Sequence, residues 1–244
     1  MNLIDAIVAD SAAMSAIRRD LHAHPELGYE ETRTADLVAS QLTQWGIPVH
    51  RGLGKTGVVG IVQNGSSARA LGLRADMDAL PMTEFNRFAH ASRHPGKMHG
   101  CGHDGHTTML LAAARQLARQ RDFDGTVVLI FQPAEEGGAG AQAMIDDGLL
   151  ERFAMEAVFG MHNWPGYKVG TFGVTAGPMM ASASTFGLKV RGKGAHAALA
   201  YMGVDPVPVA CQIVLAWQTI VTRNLRALEA AVISPTMIHA GEAS

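Results

Sequence analysis

The chain has 244 residues, 48% of them hydrophobic and 17% charged, with a formal net charge of −2. That length can bury a sizeable core in one large or two smaller domains, and evenly spread Lys and Arg give no electrostatic case for nucleic acid or an anionic membrane. No apolar run approaches the roughly 20 residues a bilayer crossing needs. The start Met1-Asn2-Leu3-Ile4-Asp5 lacks the basic and apolar parts of a secretory signal. Two cysteines in unlike settings, Cys101 and Cys211, are expected to be reduced thiols in a cytoplasmic protein.

In chain order, Asp5 to Leu21 is predicted to be an amphipathic helix with Ile7, Met14, Ile17 and Leu21 on one face. Thr34 to Trp45 is a second helix, closed by Gly46 and Pro48. Val58–Val62 and Ala70–Arg74 are short strands around the turn residues Asn64-Gly65-Ser66-Ser67. An alanine-rich helix from Thr107 to Gln120 precedes Thr126–Phe131, whose near-continuous apolar run predicts a central strand buried on both faces. Ala139 to Asp147 is a helix, and Ala157–Met161 another buried strand. Strands alternating with helices predict an α/β sheet with helices on both faces. Beyond Ala181-Ser182-Ala183-Ser184 the pattern predicts a strand (Thr185 to Val190), a long helix (Asp205 to Arg223) and a strand (Ala231 to Ile238). Three such elements are a poor core by themselves, so they read as part of a second, incomplete domain.

The stretch Gly100-Cys101-Gly102-His103-Asp104-Gly105-His106 puts a thiol, two imidazoles and a carboxylate into seven residues at a helix entrance, a combination that suits a metal site. Ligands in α/β sheets bind outside the carboxyl ends of the strands. Strand Ala70–Arg74 runs into Asp76 and Asp78, Thr126–Phe131 into Glu135-Glu136, and Ala157–Met161 into His162-Asn163. Neighbouring side chains in extended backbone point opposite ways, so one glutamate can face a metal and the other the attacking water. The plainer reading of Glu135-Glu136 is a solvated pair at a helix start; the flanking Pro133 and Gly137-Gly138 favour the functional one. Asp76 and Asp78 either end a strand or support the metal rim. His99 and His106 adjoin the cluster without a clear role, and His22 and His24 fit caps or satisfied polar contacts. Cys211 is expected to be a buried small hydrophobe on the apolar face of its helix. A thiol mechanism, with Cys101 activated by His103 or His106, is a rival that leaves Glu135-Glu136 without work.

The motifs Leu21-His22-Ala23-His24-Pro25-Glu26-Leu27, Leu73 to Pro81, His99 to His106, Gln132-Pro133-Ala134-Glu135-Glu136 and Gly160-Met161-His162 occur in this order. Together they resemble the amidohydrolase branch of the M20 metallopeptidases, over essentially the whole chain. The resemblance implies a zinc-exopeptidase-like catalytic domain (residues 1–182) and part of a smaller α+β ferredoxin-like lid and dimerisation domain (residues 183–244). It implies two divalent ions (Mn, Zn, Co or Ni) held by Cys101, His103, Glu136 and His162, with Cys101 bridging. Glu135 matches the general base and Asp78 a supporting carboxylate. Gly192 to Ala198 resembles the lid motif, whose His, here His196, reaches the partner subunit's site in a homodimer. The implied reaction is hydrolysis of an N-acyl or N-aroyl amino acid by metal-activated water, a dipeptidase or deacetylase being a variant within the family. Family members are longer, and an oxyanion-assisting Asn and a last ligand His are expected beyond Ser244. A rival reading is therefore a fragment that binds metal weakly or serves only as an interaction module.

Overall fold

The computed structural model describes residues 3–241; residues 1–2 and 242–244 of the two expected domains lie outside that range. The chain divides into two units, the first running to Thr171 and the second from Phe172, N-terminal to the Ala181–Ser184 stretch.

In the first unit, α1 (Leu3–Ala23) and α2 (Thr32–Gln44) precede β1 (Val49–Leu53), β2 (Gly57–Asn64) and β3 (Ala70–Asp76). Then follow α3 (His103–Arg119), β4 (Gly125–Gln132), α4 (Gly140–Asp146), α5 (Leu149–Arg152) and β5 (Ala157–Gly160). The sheet order is β1-β2-β4-β3-β5. The β1–β2 and β2–β4 pairs are antiparallel, whereas β3 runs parallel to both β4 and β5. The short strand β1 and helix α5 carry too little periodicity to stand out in the sequence.

Alternation along β4 divides its side chains between two cores. Leu129 and Phe131 join Ala35, Val38 and Leu42 of α2 and Leu110, Leu111 and Ala114 of α3. Val128 and Ile130 join Met144 of α4 and Leu149 of α5. Helices thus cover both faces, as the pattern predicts, and the apolar run Thr126–Phe131 is the strand between them.

The buried strand expected at Ala157–Met161 is corrected: β5 forms, but all four of its residues are exposed. It is an edge strand paired only with β3, and no described element covers Val158 or Phe159.

The second unit holds a 3-10 turn (Ala197–Met202) and the 18-residue α6 (Pro206–Arg223). Asp205 caps α6, its carboxylate accepting from the Val207 N–H at 2.9 Å. The strands expected at Thr185–Val190 and Ala231–Ile238 do not form among the described residues. A strand needs a ladder partner, and the only strand pairing among the described residues of this unit is a bridge between Lys193 and Val204. Cys211 is exposed, not buried: no residue of α6 is fully buried, and the helix face that is half-covered, with Phe186 against Trp217 at 5.1 Å, includes Ile213 and Trp217 and not Cys211. No described helix is long and apolar enough to cross a membrane.

Candidate metal centre

The parallel strands β3, β4 and β5 end on one edge, and their register sets the site. Asp76 pairs with Gln132, and Arg74 with Gly160, so His162, two residues past Gly160, comes level with Asp76. Helix α3 enters the same edge through Gly102, whose φ of +93° suits glycine. A Cβ there would also collide with the Asn163 amide. The Thr107 hydroxyl, donating to the Asp76 carbonyl at 2.8 Å, ties the first turn of α3 to the end of β3.

His103 stands at the centre. Its Nδ1–H donates to Asp78 Oδ1 at 3.2 Å, leaving Nε2 with a lone pair. That Nε2 is buried and has no hydrogen-bond partner. Around it lie Asp76 Oδ1 at 3.7 Å, Glu136 Oε1 at 3.8 Å and Glu135 Oε2 at 3.9 Å. Glu136 Oε1 is likewise buried and unpartnered. His162 repeats the arrangement: Nδ1–H donates to the Asn163 carbonyl at 2.6 Å, and Nε2 lies 3.3 Å from Cys101 Sγ.

These spacings fit an ion. Donors bound at about 2.0–2.3 Å in tetrahedral geometry stand roughly 3.3–3.8 Å apart; the Cys101–His162 spacing of 3.3 Å and those of His103 to Asp76 and Glu136 lie in that range, and that to Glu135, at 3.9 Å, just beyond it. Cys101, His103 and His162 offer ligand atoms within 4.8 Å of one another, as do His103, Glu135 and Glu136, and also Asp76, His103 and His106. His103 belongs to all three groups.

Electrostatics point the same way. Burial, then the charge and hydrogen bond of Glu136 and the charges of Glu135 and Asp76, push the Cys101 thiol up to about 12. A thiol so placed ionises only when a cation offsets those acids. Burial works to raise Asp76, but the hydrogen bond from His106 and the charges of His103, Arg74 and His106 overcome it and hold the carboxyl at about 2. Burial also opposes ionisation of Asp78, and is outweighed by the His103 bond and the Glu136 and Glu135 N–H groups, so its pKa is lowered.

Supporting contacts are specific. Asp78 accepts from His103 through one oxygen and from the Glu136 N–H through the other at 2.9 Å, so it positions two candidate ligands at once. His106 donates from Nδ1 to Asp76 Oδ1 at 2.6 Å and accepts the Asn163 N–H at Nε2, 3.0 Å away. Of the two imidazoles proposed as activators of Cys101, His106 has both ring nitrogens engaged by Asp76 and Asn163, whereas His103 keeps Nε2 free. His22 and His24 do make satisfied polar contacts: His22 bonds Asp104 and Glu84, and His24 bonds the Asp20 carbonyl.

The structure therefore brings together Asp78, Cys101, His103, Glu135, Glu136 and His162. His196 belongs to the second unit, where its Nδ1 accepts the Ala198 N–H at 3.1 Å and caps the 3-10 turn. Sequence reasoning missed two residues, Asn163 as the anchor of the His162 loop and Glu31, a carboxylate inside the fold. The only sequence signal for either was position beside a recognised motif.

Residues 72–242 match the model of peptidase family M20/M25/M40. The chain belongs to that family. It is 45% identical over 243 residues to a protein named hippurate hydrolase from Campylobacter jejuni, covering 100% of this chain and 63% of that one. It is 39% identical to an N-acyl-L-amino acid amidohydrolase of Geobacillus stearothermophilus, over 99% of this chain and 64% of the relative. Among solved structures, a Bacillus subtilis protein described as a dinuclear metal-binding peptidase of the M20 family superposes with a TM-score of 0.70 at 35% identity, covering 86% of this chain and 56% of that one. The chain spans less than two thirds of the length of these relatives.

Proposed function

We propose that the chain carries the catalytic machinery of a metal-dependent amidohydrolase that cleaves the amide of N-acyl or N-aroyl amino acids, with benzoyl-glycine as a representative substrate. The observation that carries this reading is the buried, unpartnered Nε2 of His103 facing Asp76, Glu135 and Glu136 at 3.7–3.9 Å. The substrate class rests on the names of the relatives, hippurate hydrolase and N-acyl-L-amino acid amidohydrolase.

Cys101, His103, Glu136 and His162 would hold two divalent ions (Mn, Zn, Co or Ni). When bound, such ions acidify water and polarise the acyl carbonyl. Glu135 is the general base: it is the more open of the two glutamates, 43% exposed against 23% for Glu136, and so is accessible to water and substrate. It takes one proton as the water oxygen bonds to the acyl carbon. It then gives that proton to the amide nitrogen as the C–N bond breaks; the acid formed loses the second water proton to the released amino group, leaving a carboxylate and a free amino acid. Asp78 holds His103 in the tautomer that leaves Nε2 free. Residues 1–182 are proposed as the catalytic domain and 183–244 as a lid through which a cytoplasmic homodimer forms. There His196 stabilises the oxyanion in the partner subunit's site.

Hydrolysis of benzoyl-glycine should be abolished by a chelator and restored by Mn²⁺. Glu135→Gln should keep its metal content and lose turnover by at least about 10²-fold. Activity that survives chelation but not thiol alkylation would overturn the metal reading. Wild-type turnover by Glu135→Gln would overturn the assignment of the base.

A further inference from the structure

Glu31 is 0% exposed and takes no part in the chemistry above. Its Oε1 accepts the Ala134 N–H at 2.8 Å and its Oε2 the Thr56 hydroxyl at 2.6 Å. Burial pushes its pKa up against the effect of those bonds. A carboxylate in such surroundings is costly to keep, and its place shows what it holds.

Ala134 directly precedes Glu135 and Glu136. It is completely buried, and its φ of +48° is uncommon for a residue with a Cβ. A buried N–H in such a turn needs an acceptor, and Glu31 supplies it. Neighbours of Glu31 grip the same loop. The Tyr29 hydroxyl donates to the Gly138 carbonyl at 2.6 Å, and Gly28 packs so close to Ala134 that a Cβ there would press on it at 3.0 Å. Residues 26 and 27 reach the other arm of the site. Leu27 bridges to Ala79, and the Ala79 N–H donates to the Glu26 carbonyl at 2.8 Å, one residue beyond Asp78. One short segment thus holds both the Asp78 strand end and the two-glutamate loop.

We propose that Glu31 is a positioning residue: by accepting the Ala134 N–H it fixes the turn that aims Glu135 and Glu136 at the metal centre. This rests on the reading of Glu136 as a ligand and Glu135 as the base. The Glu31 and Tyr29 N–H groups also bond this carboxylate; of the two donors from elsewhere in the fold, the Ala134 N–H needs only an acceptor, and the Thr56 hydroxyl can reverse its role. Glutamine therefore replaces Glu31 with both contacts intact, whereas alanine leaves the Ala134 N–H buried and unpaired.

The test uses this chain with Glu31→Ala, Glu31→Gln and Thr56→Val. Amide exchange of residues 132–140 is followed without metal, and Co²⁺ binding is measured by calorimetry. Glu31→Ala should exchange faster at 134–136 and bind Co²⁺ about 10–100-fold more weakly. Glu31→Gln should restore both properties. Unchanged exchange at 134–136 in Glu31→Ala overturns the proposal, as does faster exchange with unaltered Co²⁺ affinity. If Glu31→Ala does not fold, Thr56→Val, which strips one of the two bonds, must shift both readouts in the same direction or the proposal falls. A wild-type chain that binds no Co²⁺ would overturn the metal reading itself, and the exchange pattern alone then decides whether Glu31 holds the loop.

Discussion

The two units of this chain draw on similar apolar residues with opposite results. In the first, alternation along β4 supplies two cores, and Val58, Leu111, Leu129 and Phe131 are fully buried. In the second, α6 is a well-formed 18-residue helix with a capped start and not one buried residue; Leu215 is 69% exposed. A helical period specifies a helix, but burial requires a second surface that fits it. The catalytic candidates share this division. Asp78, His103 and Asp76 are tied together across the end of β3, helix α3 and the Glu136 loop, while His196 bonds the N–H of its own turn.

The thiols break or sharpen that contrast most strongly. Cys101, pushed up to about 12, carries only ~10⁻⁴ thiolate at pH 8, whereas Cys211 stands exposed on α6. Alkylation of the metal-free chain should separate into a fast phase at Cys211 and a slow one at Cys101, the slow rate rising about tenfold per pH unit. Equal rates, read by peptide mass spectrometry, would mean that the acids around Cys101 do not act as described. Next in size is Leu129→Ala, which should destabilise the first unit by about 2–5 kcal/mol in urea unfolding. Leu215→Ala in α6 should change stability by less than about 0.5 kcal/mol. A large loss from Leu215→Ala would reveal a packed face on α6.

Metal affinity gives a smaller contrast. His106→Phe removes the link from Asp76 to the Asn163 N–H, and Co²⁺ affinity should fall about 10–100-fold. Asn163→Ala keeps that backbone N–H and should fall less. His196→Ala, in the second unit, should leave Co²⁺ affinity at the wild-type level. Titration calorimetry of the three variants ranks them, and an order other than this would sink the clamp role of His106.

What the sequence made legible follows from range. The α/β sheet and its central strand could be read because apolar runs and turn residues are local signals. That Cys101, His103, Asp78, Glu135, Glu136 and His162 gather at one edge could be read because each follows a strand or opens a helix, and parallel strand ends share an edge. The exposure of β5 and Cys211, and the absence of strands at Thr185–Val190 and Ala231–Ile238 among the described residues, could not be read. An apolar residue records a capacity for burial and not the presence of the surface that buries it. Glu31 was hidden for a related reason: a glutamate in a run of polar residues reads as surface until the fold closes over it.

The smallest effect is a pH dependence confined to the first unit. His22 bridges Asp104 at 2.8 Å and Glu84 at 3.1 Å, with Arg18 also on Asp104. The Asp104 hydrogen bond, over the opposing effect of burial, raises the His22 pKa above 6.5. Its stabilisation is therefore complete below pH 6.5 and lost as pH rises through the folded value. His99, whose ring lies 6.3 Å from that of His22, behaves oppositely. Burial holds it down at about 4, so its contribution is present above 6.5 and lost as pH falls toward 4. The decline above pH 6.5 thus includes a His22 part beside that of His103, whose pKa is also raised, and the decline below it includes a His99 part. In thermal unfolding of the metal-free chain, His22→Gln should make the alkaline side of the stability profile shallower, the His103 part remaining, and leave the acid side in place. His99→Leu should do the reverse. If His22→Gln leaves the alkaline slope unchanged, the charge on His22 contributes nothing to the stability of the first unit.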